Sequence, residues 1–349
     1  MNNTQTIKSY RQTINRCNIS MLVLFASLTI LSTASALILE LFVDKLSPLA
    51  FELIESFISI AIYFFSFTFP IVIFKAMSKK AVYYPLPASP VLPKHTFKIC
   101  FAAVAIVFTS SLINSQIMSV ITSFWGPGID TSIFESDING MHTFILMFIS
   151  TAVVPALVEE FLFRGVFLKN LLPYGKTVAV VLSSLYFAIM HQNFFQFFYT
   201  FMAGLVFAYV FLRTGSIWCG VLIHFINNFL SVLNEVFLHF MNENTAIRIQ
   251  YLLYTTVVFA GVVSLFLLIR HDRKAAQNIK LKQGSVFGVT EKIPVFDSDT
   301  RLDGSSAIKN FFIPSTFIVV IFSLLYATII LLAMLAPVDS LAKWTIFFS

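Results

Sequence analysis

Nine separate runs of mostly apolar residues dictate what this 349-residue chain can become. They fall at about residues 17–39, 53–74, 98–121, 141–163, 176–191, 194–212, 217–240, 250–269 and 311–336. A helix needs about 20 such residues to cross the hydrocarbon core. In lipid every backbone polar group must be satisfied within the protein, which leaves helices and closed barrels as the spanning structures. Runs of this length exclude the barrel and predict an all-α, polytopic membrane protein with about nine transmembrane helices. Composition agrees: 58% of residues are hydrophobic and 11% charged, against about 25% charged in an ordinary globular domain.

Charge placement predicts orientation. Lys8, Arg11 and Arg16 precede the first run with no acid among them. Lys75, Lys79, Lys80 and Lys94 separate the second and third; Arg164, Lys169 and Lys176 the fourth and fifth; Arg213 the sixth and seventh. The one long polar segment, about 270–310, holds eight Lys/Arg against five acids. The alternate loops are neutral or acidic, with Asp44 beside Lys45, then Asp130, Glu135 and Asp137, then Glu243 with Arg248. Basic loops on one side place the N-terminus in the cytoplasm and the C-terminus outside, in the plasma membrane. The net charge of +6 is thus an orientation signal, and no nucleic-acid partner is expected. No cleavable signal peptide is expected, because the first 16 residues are polar and the run that follows is long enough to span. Cys17, Cys100 and Cys219 lie far apart with no C-x-x-C, so neither a disulfide framework nor a zinc ribbon is supported. The segment Val82–Pro90 is proline-rich and reads as an extended interfacial loop; 270–310 reads as a partly mobile cytoplasmic linker.

Against this background Glu159, Glu160 and Arg164 stand out, because they follow an apolar run without a break. A charge at mid-bilayer costs about 2.5–3.5 kcal/mol on insertion scales, and an ionisable residue there is by default a functional-site hypothesis. Two further pairs share the i, i+4 spacing that puts both members on one helix face: Phe187 with His191, and His224 with Asn228. Glu160 and Arg164 are also four apart, so a buried ion pair between them is natural. Glu159, about 100° further round the helix, is left without that partner. A carboxylate so placed can serve as a general base. Glu159 is therefore assigned to chemistry and the Glu160–Arg164 pair chiefly to positioning. A turn at Leu172–Gly175 makes an antiparallel hairpin of the fourth and fifth helices. Glu159 and His191 each lie 16 residues from Gly175, which sets both at the same depth, roughly 24 Å from the turn. His224 and Asn228 lie 9 and 13 residues beyond Gly215, within about 10 Å of that level.

Other polar residues in or near the apolar runs are weaker candidates. Glu52 and Glu55 sit at the start of the second helix, at the outer interface. Asn114 and Gln116 read as helix–helix contacts. Asn227 could assist Asn228. Glu235 and His239 read as a structural pair, and Trp125, Trp218 and Trp344 as interfacial anchors.

These motifs resemble the CPBP family (Abi, CAAX-protease and bacteriocin-processing proteins) of intramembrane endopeptidases. Glu159-Glu160-Phe161-Leu162-Phe163-Arg164-Gly165 fits the family's E-E-x-x-F-R-G. Ser183 to His191 fits its second motif, and Gly215-Ser216-Ile217-Trp218 leading to His224 and Asn228 its third. The resemblance covers about residues 141–235. It divides the chain into an N-terminal three-helix region (1–140), a catalytic helical core (141–240) and C-terminal helices with the polar loop (241–349). It implies that Glu159 and His191 activate a water for attack on a peptide carbonyl. His224 and Asn228 would form the oxyanion hole, and Glu160 and Arg164 would support Glu159. A metalloprotease reading of the family also exists. H-E-x-x-H is absent here, but Glu159, His191 and His224 could together ligate zinc. Metal-free glutamate catalysis, with no cofactor, is the preferred expectation. The implied partner is a peptide or membrane-protein substrate, lipidated or not, reached within the bilayer. The alternative is a non-catalytic membrane scaffold or bacteriocin-immunity protein that binds a peptide in the same pocket. A transporter with an acid–histidine relay is a third reading, disfavoured because paired Gly/Pro-broken helices are missing.

Overall fold

In the computed structural model, the described residues are 3–78, 96–125, 141–280 and 302–334. The proline-rich 82–94 loop, the outer-loop acids at 130, 135 and 137, residues 281–301 of the polar segment and Trp344 fall outside them. The described residues form helices joined by short turns, with no strand among them. We label the helices α1 (Asn3–Glu40), α2 (Pro48–Met77), α3 (Thr96–Trp125), α4 (Met141–Tyr174), α5 (Lys176–Met190), α6 (Phe194–Thr214), α7 (Ile217–Phe240), α8 (Glu243–Lys280), α9 (Gly304–Phe311) and α10 (Pro314–Met334).

The chain is an all-α polytopic membrane protein, and the expected count of about nine spans is approximate. Seven of the described helices are long and apolar enough to cross a bilayer, and an eighth if α9 and α10, bent by 71° at their junction, count as one span. The exception is α5. Its 15 residues rise only about 22 Å, short of the roughly 30 Å hydrocarbon core. Two other boundaries moved. α1 begins at Asn3, because its polar first turns are not a solvated tail: Tyr10, Thr13 and Ile14 are buried. α8 runs on to Lys280 and α9 begins at Gly304, so both ends of the expected linker are helical.

Local chemistry explains the breaks. Ser47 caps α2 by accepting from the Ala50 N–H, with Pro48 in the first turn, where its missing donor costs nothing. Asn193 caps α6 through the Phe195 N–H. Gly215 ends α6 at φ 66°, a left-handed conformation that glycine adopts without strain. Asp303 caps α9 through the Ser306 N–H.

α4 is the spine of the molecule. Two π-helical turns, Phe148–Val153 and Phe161–Leu168, bracket the α-helical stretch Val154–Glu160. Such turns each carry an extra residue and are frequent at functional sites. α2, α5 and α7 pack against α4. α6 lies between α5 and α7, and α3 covers α6 and α7 with α8 outside it. The α4–α5 hairpin is tied to the chain's two ends by polar links. Tyr174 Oη is bonded to Ser9 (2.8 Å) and Thr13 (3.0 Å) of α1. Asn18 of α1 accepts from Tyr186 Oη (2.6 Å) and donates to Thr316 (2.9 Å) of α10. The expected helix–helix contact of Asn114 is made to the Phe195 carbonyl at 2.8 Å, whereas Gln116 is exposed.

Candidate active site

Glu159 and Glu160 close the α-helical stretch of α4, and both are buried, at 2% and 0% exposure. Their spacing separates them as expected. Arg164, one turn on, donates from Nη1 to Glu160 Oε1 at 2.8 Å. Its Nη2 donates to the Gly204 carbonyl of α6 at 3.1 Å. The guanidinium carbon lies 4.6 Å from the ring centre of Phe187 and 5.2 Å from that of Phe207. A buried ion pair repays its desolvation only when its remaining hydrogen-bonding capacity is met. Here the pair, a carbonyl and two aromatic faces meet most of it.

His224 joins both acids. Its Nδ1 lies 3.3 Å from Glu160 Oε1, and its Nε2 lies 4.0 Å from Glu159 Oε2. The imidazole is stacked on Phe207 (centres 5.1 Å, planes 24° apart) and meets Phe187 edge-on at 5.8 Å. His191 sits at the C-terminus of α5 with its ring 5.2 Å from Phe187. Phe187 is thus the common wall against which Arg164, His191 and His224 are set. The i, i+4 pairing of Phe187 with His191 does this work from one helix face.

Asn228 lies one turn beyond His224 on the site's more open side. Its Nδ2 donates to the Thr151 carbonyl at 3.0 Å, and its Oδ1 accepts from Asn227 at 3.1 Å. The reason is legible in α4: Pro155 has no N–H to offer the carbonyl four residues back, which is that of Thr151. Asn228 therefore links α7 to the point where α4 changes winding. Asn227 also donates to Tyr199 Oη of α6 at 2.6 Å.

Two features escaped sequence reasoning. Tyr63 of α2 donates to Glu159 Oε1 at 2.5 Å, so the acid without an arginine is not without a partner. Tyr63 stands in Ile60-Ala61-Ile62-Tyr63-Phe64-Phe65, and nothing in its spacing pairs it with a motif 96 residues away. The second is steric. A Cβ at Gly220 would stand 2.7 Å from Glu160 Oε2, and one at Gly204 would stand 2.9 Å from Ser184 Cβ. Both glycines let a helix approach the site at backbone distance. Of the weaker candidates, Asn227 belongs to the site through Asn228. Glu52 accepts from Thr143 at 2.6 Å, near the start of α4. Trp218 packs edge-on against Phe161 at 5.9 Å.

Four buried polar atoms of this cluster make no hydrogen bond to any described residue: Glu159 Oε2, Glu160 Oε2, Arg164 Nε and His191 Nε2. Buried groups are rarely left so without a chemical reason. A metal is one reason to test. Among the described residues, no three His, Cys, Asp or Glu side chains are grouped to hold an ion. Glu159, His191 and His224 do not form a ligand set in this geometry.

Residues 141–230 match the family model described as Type II CAAX prenyl endopeptidase Rce1-like. The matched segment carries every motif residue, and the match agrees with the CPBP/CAAX protease family that the motifs resemble. No curated protein and no solved structure matches the chain.

Proposed function

We propose that this multi-pass membrane protein, with its Rce1-like core, is an intramembrane endopeptidase of the CAAX-protease type. It hydrolyses a peptide bond of a lipidated or membrane-associated protein at the plasma membrane, with Glu159 as the base. One observation carries the reading. Glu159 is buried, one carboxylate oxygen is held by Tyr63, and the other faces His224 Nε2 across 4.0 Å with no donor among the described residues. A polar gap of that width suits a bridging water.

In this reading Glu159 Oε2 and His191 Nε2 polarise the water. Its oxygen attacks the scissile carbonyl carbon as one proton passes to Glu159. The carbonyl oxygen becomes an oxyanion, met by His224 Nε2 and by the second N–H of Asn228, whose first is spent on Thr151. Donors aimed at a developing oxyanion are usually the largest single term in acyl transfer. The C–N bond then breaks and the proton on Glu159 passes to the leaving amine, giving a carboxylic acid and a free amine. Geometry supports the donor role of His224: Nδ1 is taken up by Glu160 at 3.3 Å, which leaves Nε2 as the ring nitrogen facing the gap beside Glu159. Glu160 and Arg164 hold that ring rather than the substrate. No metal enters the step.

The test compares membrane and secreted peptides of cells carrying the wild type and Glu159→Gln at equal protein levels. Loss of a defined set of cleavage products is expected. Products unchanged in Glu159→Gln would remove the base from the proposal. A cellular phenotype that survives both Glu159→Gln and His191→Ala would favour a scaffold or immunity protein using the same pocket.

A further inference from the structure

Tyr63 lies on α2, outside the segment that the family match covers, yet its phenol makes the one described hydrogen bond to Glu159. We infer that Tyr63 is a positioning residue for the reaction: it fixes the rotamer of Glu159 through Oε1 and so aims Oε2 at the water. This rests on the proposed role of Glu159 as base.

Three contacts make the placement of Tyr63 a consequence of how α2 lies on α4. Near the start of both helices Glu52 accepts from Thr143 at 2.6 Å, and its other oxygen lies 3.3 Å from His142. At mid-length Tyr63 reaches Glu159. Toward the far end Phe74 meets Phe167, ring centres 6.1 Å apart. Residue numbers rise together along both helices, so α2 runs parallel to α4 and is held to it on either side of Tyr63. The ring of Tyr63 also packs on Phe67 at 4.7 Å. The phenol therefore arrives already oriented, and its only proton goes to Glu159.

The other groups around Glu159 do not do this. Arg164 spends its fork on Glu160 and the Gly204 carbonyl. His224 is hydrogen-bonded to Glu160, and its other nitrogen is 4.0 Å from Glu159. Without Tyr63 the carboxylate has no described donor, and its end is free to rotate toward the histidine. A buried tyrosine can also bond the nearest acceptor merely to satisfy its hydroxyl. That bland role predicts lower stability but no selective loss of turnover.

Tyr63→Phe removes the hydroxyl and keeps the ring on Phe67. The experiment first asks whether this variant forms the cleavage products that Glu159→Gln loses. A synthetic peptide spanning one of those cleavage sites then gives kcat and KM in bilayers. Removing a hydrogen bond to a charged group is expected to lower kcat about tenfold to a hundredfold. KM should be unchanged. Tyr63→Phe added to Glu159→Gln should lower residual turnover no further. Wild-type kcat in Tyr63→Phe, or a loss confined to KM or thermal stability, overturns the inference while leaving Glu159 as base. Products retained in Glu159→Gln overturn both.

Discussion

The Glu160–Arg164 pair offers a sharp test of how the site is held together, because both partners are fully buried. Arg164→Met keeps the length of the side chain and removes its charge. Glu160 is then an uncompensated buried carboxylate, and breaking such a pair from one side costs about 3–5 kcal/mol. Glu160→Gln leaves the guanidinium against Gly204 and two aromatic rings, with Glu159 nearby, and should cost somewhat less, about 3 kcal/mol. The double variant carries neither charge. Replacing a buried pair by neutral groups of similar size is often neutral, but here the Gly204 carbonyl loses its donor, at about 1–2 kcal/mol. The singles therefore sum to about 6 kcal/mol or more against about 2 for the double, a coupling of about 4 kcal/mol. Reversible unfolding in mixed micelles, followed by circular dichroism, measures all four corners of the cycle. The double variant should be more stable than either single one and still fail to cleave, because His224 loses its charged acceptor. If the two single losses simply add, within about 0.5 kcal/mol, the pair is not coupled and the electrostatic account of the site fails.

Two glycines give steric predictions. Gly220→Ala puts a methyl 2.7 Å from Glu160 Oε2; stability should fall by at most about 2 kcal/mol, since alanine favours helix by about 1 kcal/mol and overpacking costs about 1–3. Cleavage should fall more than stability does, because the carboxylate that must move also holds Arg164 and His224. Away from the site, a Cβ at Gly261 of α8 would lie 1.9 Å from Ala105 Cβ of α3. Gly261→Ala should therefore lower the unfolding free energy by about 2 kcal/mol, and adding Ala105→Gly should return most of it in the same assay. Failure of that swap would mean that α3 and α8 do not pack as described.

Much of this was legible in the sequence, for reasons that can be named. Long apolar runs announce helices because lipid admits few alternatives, and the i, i+4 rule alone assigns Arg164 to Glu160. Counting residues from Gly175 sets His191 at the level of Glu159, and in the structure His191 meets Phe187, on which Arg164 also rests. The count of spans is only approximate. α5 is apolar enough but one or two turns too short, and a hydropathy run does not reveal that a buried helix can stop at His191. The extension of α1 to Asn3 was hidden because amphipathic turns packed on protein look polar when set against lipid. Tyr63, Gly204 and Gly220 were illegible for a common reason. Their roles come from contacts between different helices, and neither a tyrosine among phenylalanines nor a lone helical glycine carries a spacing signal.

That lesson bears on where the catalytic unit ends. Residues 141–230 supply both acids, the arginine, both histidines and the asparagine. On that basis a catalytic core could be set apart from a three-helix N-terminal region. The packing argues otherwise. The donor to Glu159 comes from α2, Asn18 of α1 accepts from Tyr186 one position before Phe187, and α3 packs on α6 and α7, the helices that carry Arg164's carbonyl partner and His224. Polar groups in lipid have no solvent to fall back on, so each must find its partner on a neighbouring helix. A core cut free of α1–α3 would present Glu159 without Tyr63 and Asn18's network without one side. We therefore propose that the unit of function reaches at least from α1 through α7. The matched segment holds the chemistry, and the helices before it set the geometry in which that chemistry can proceed.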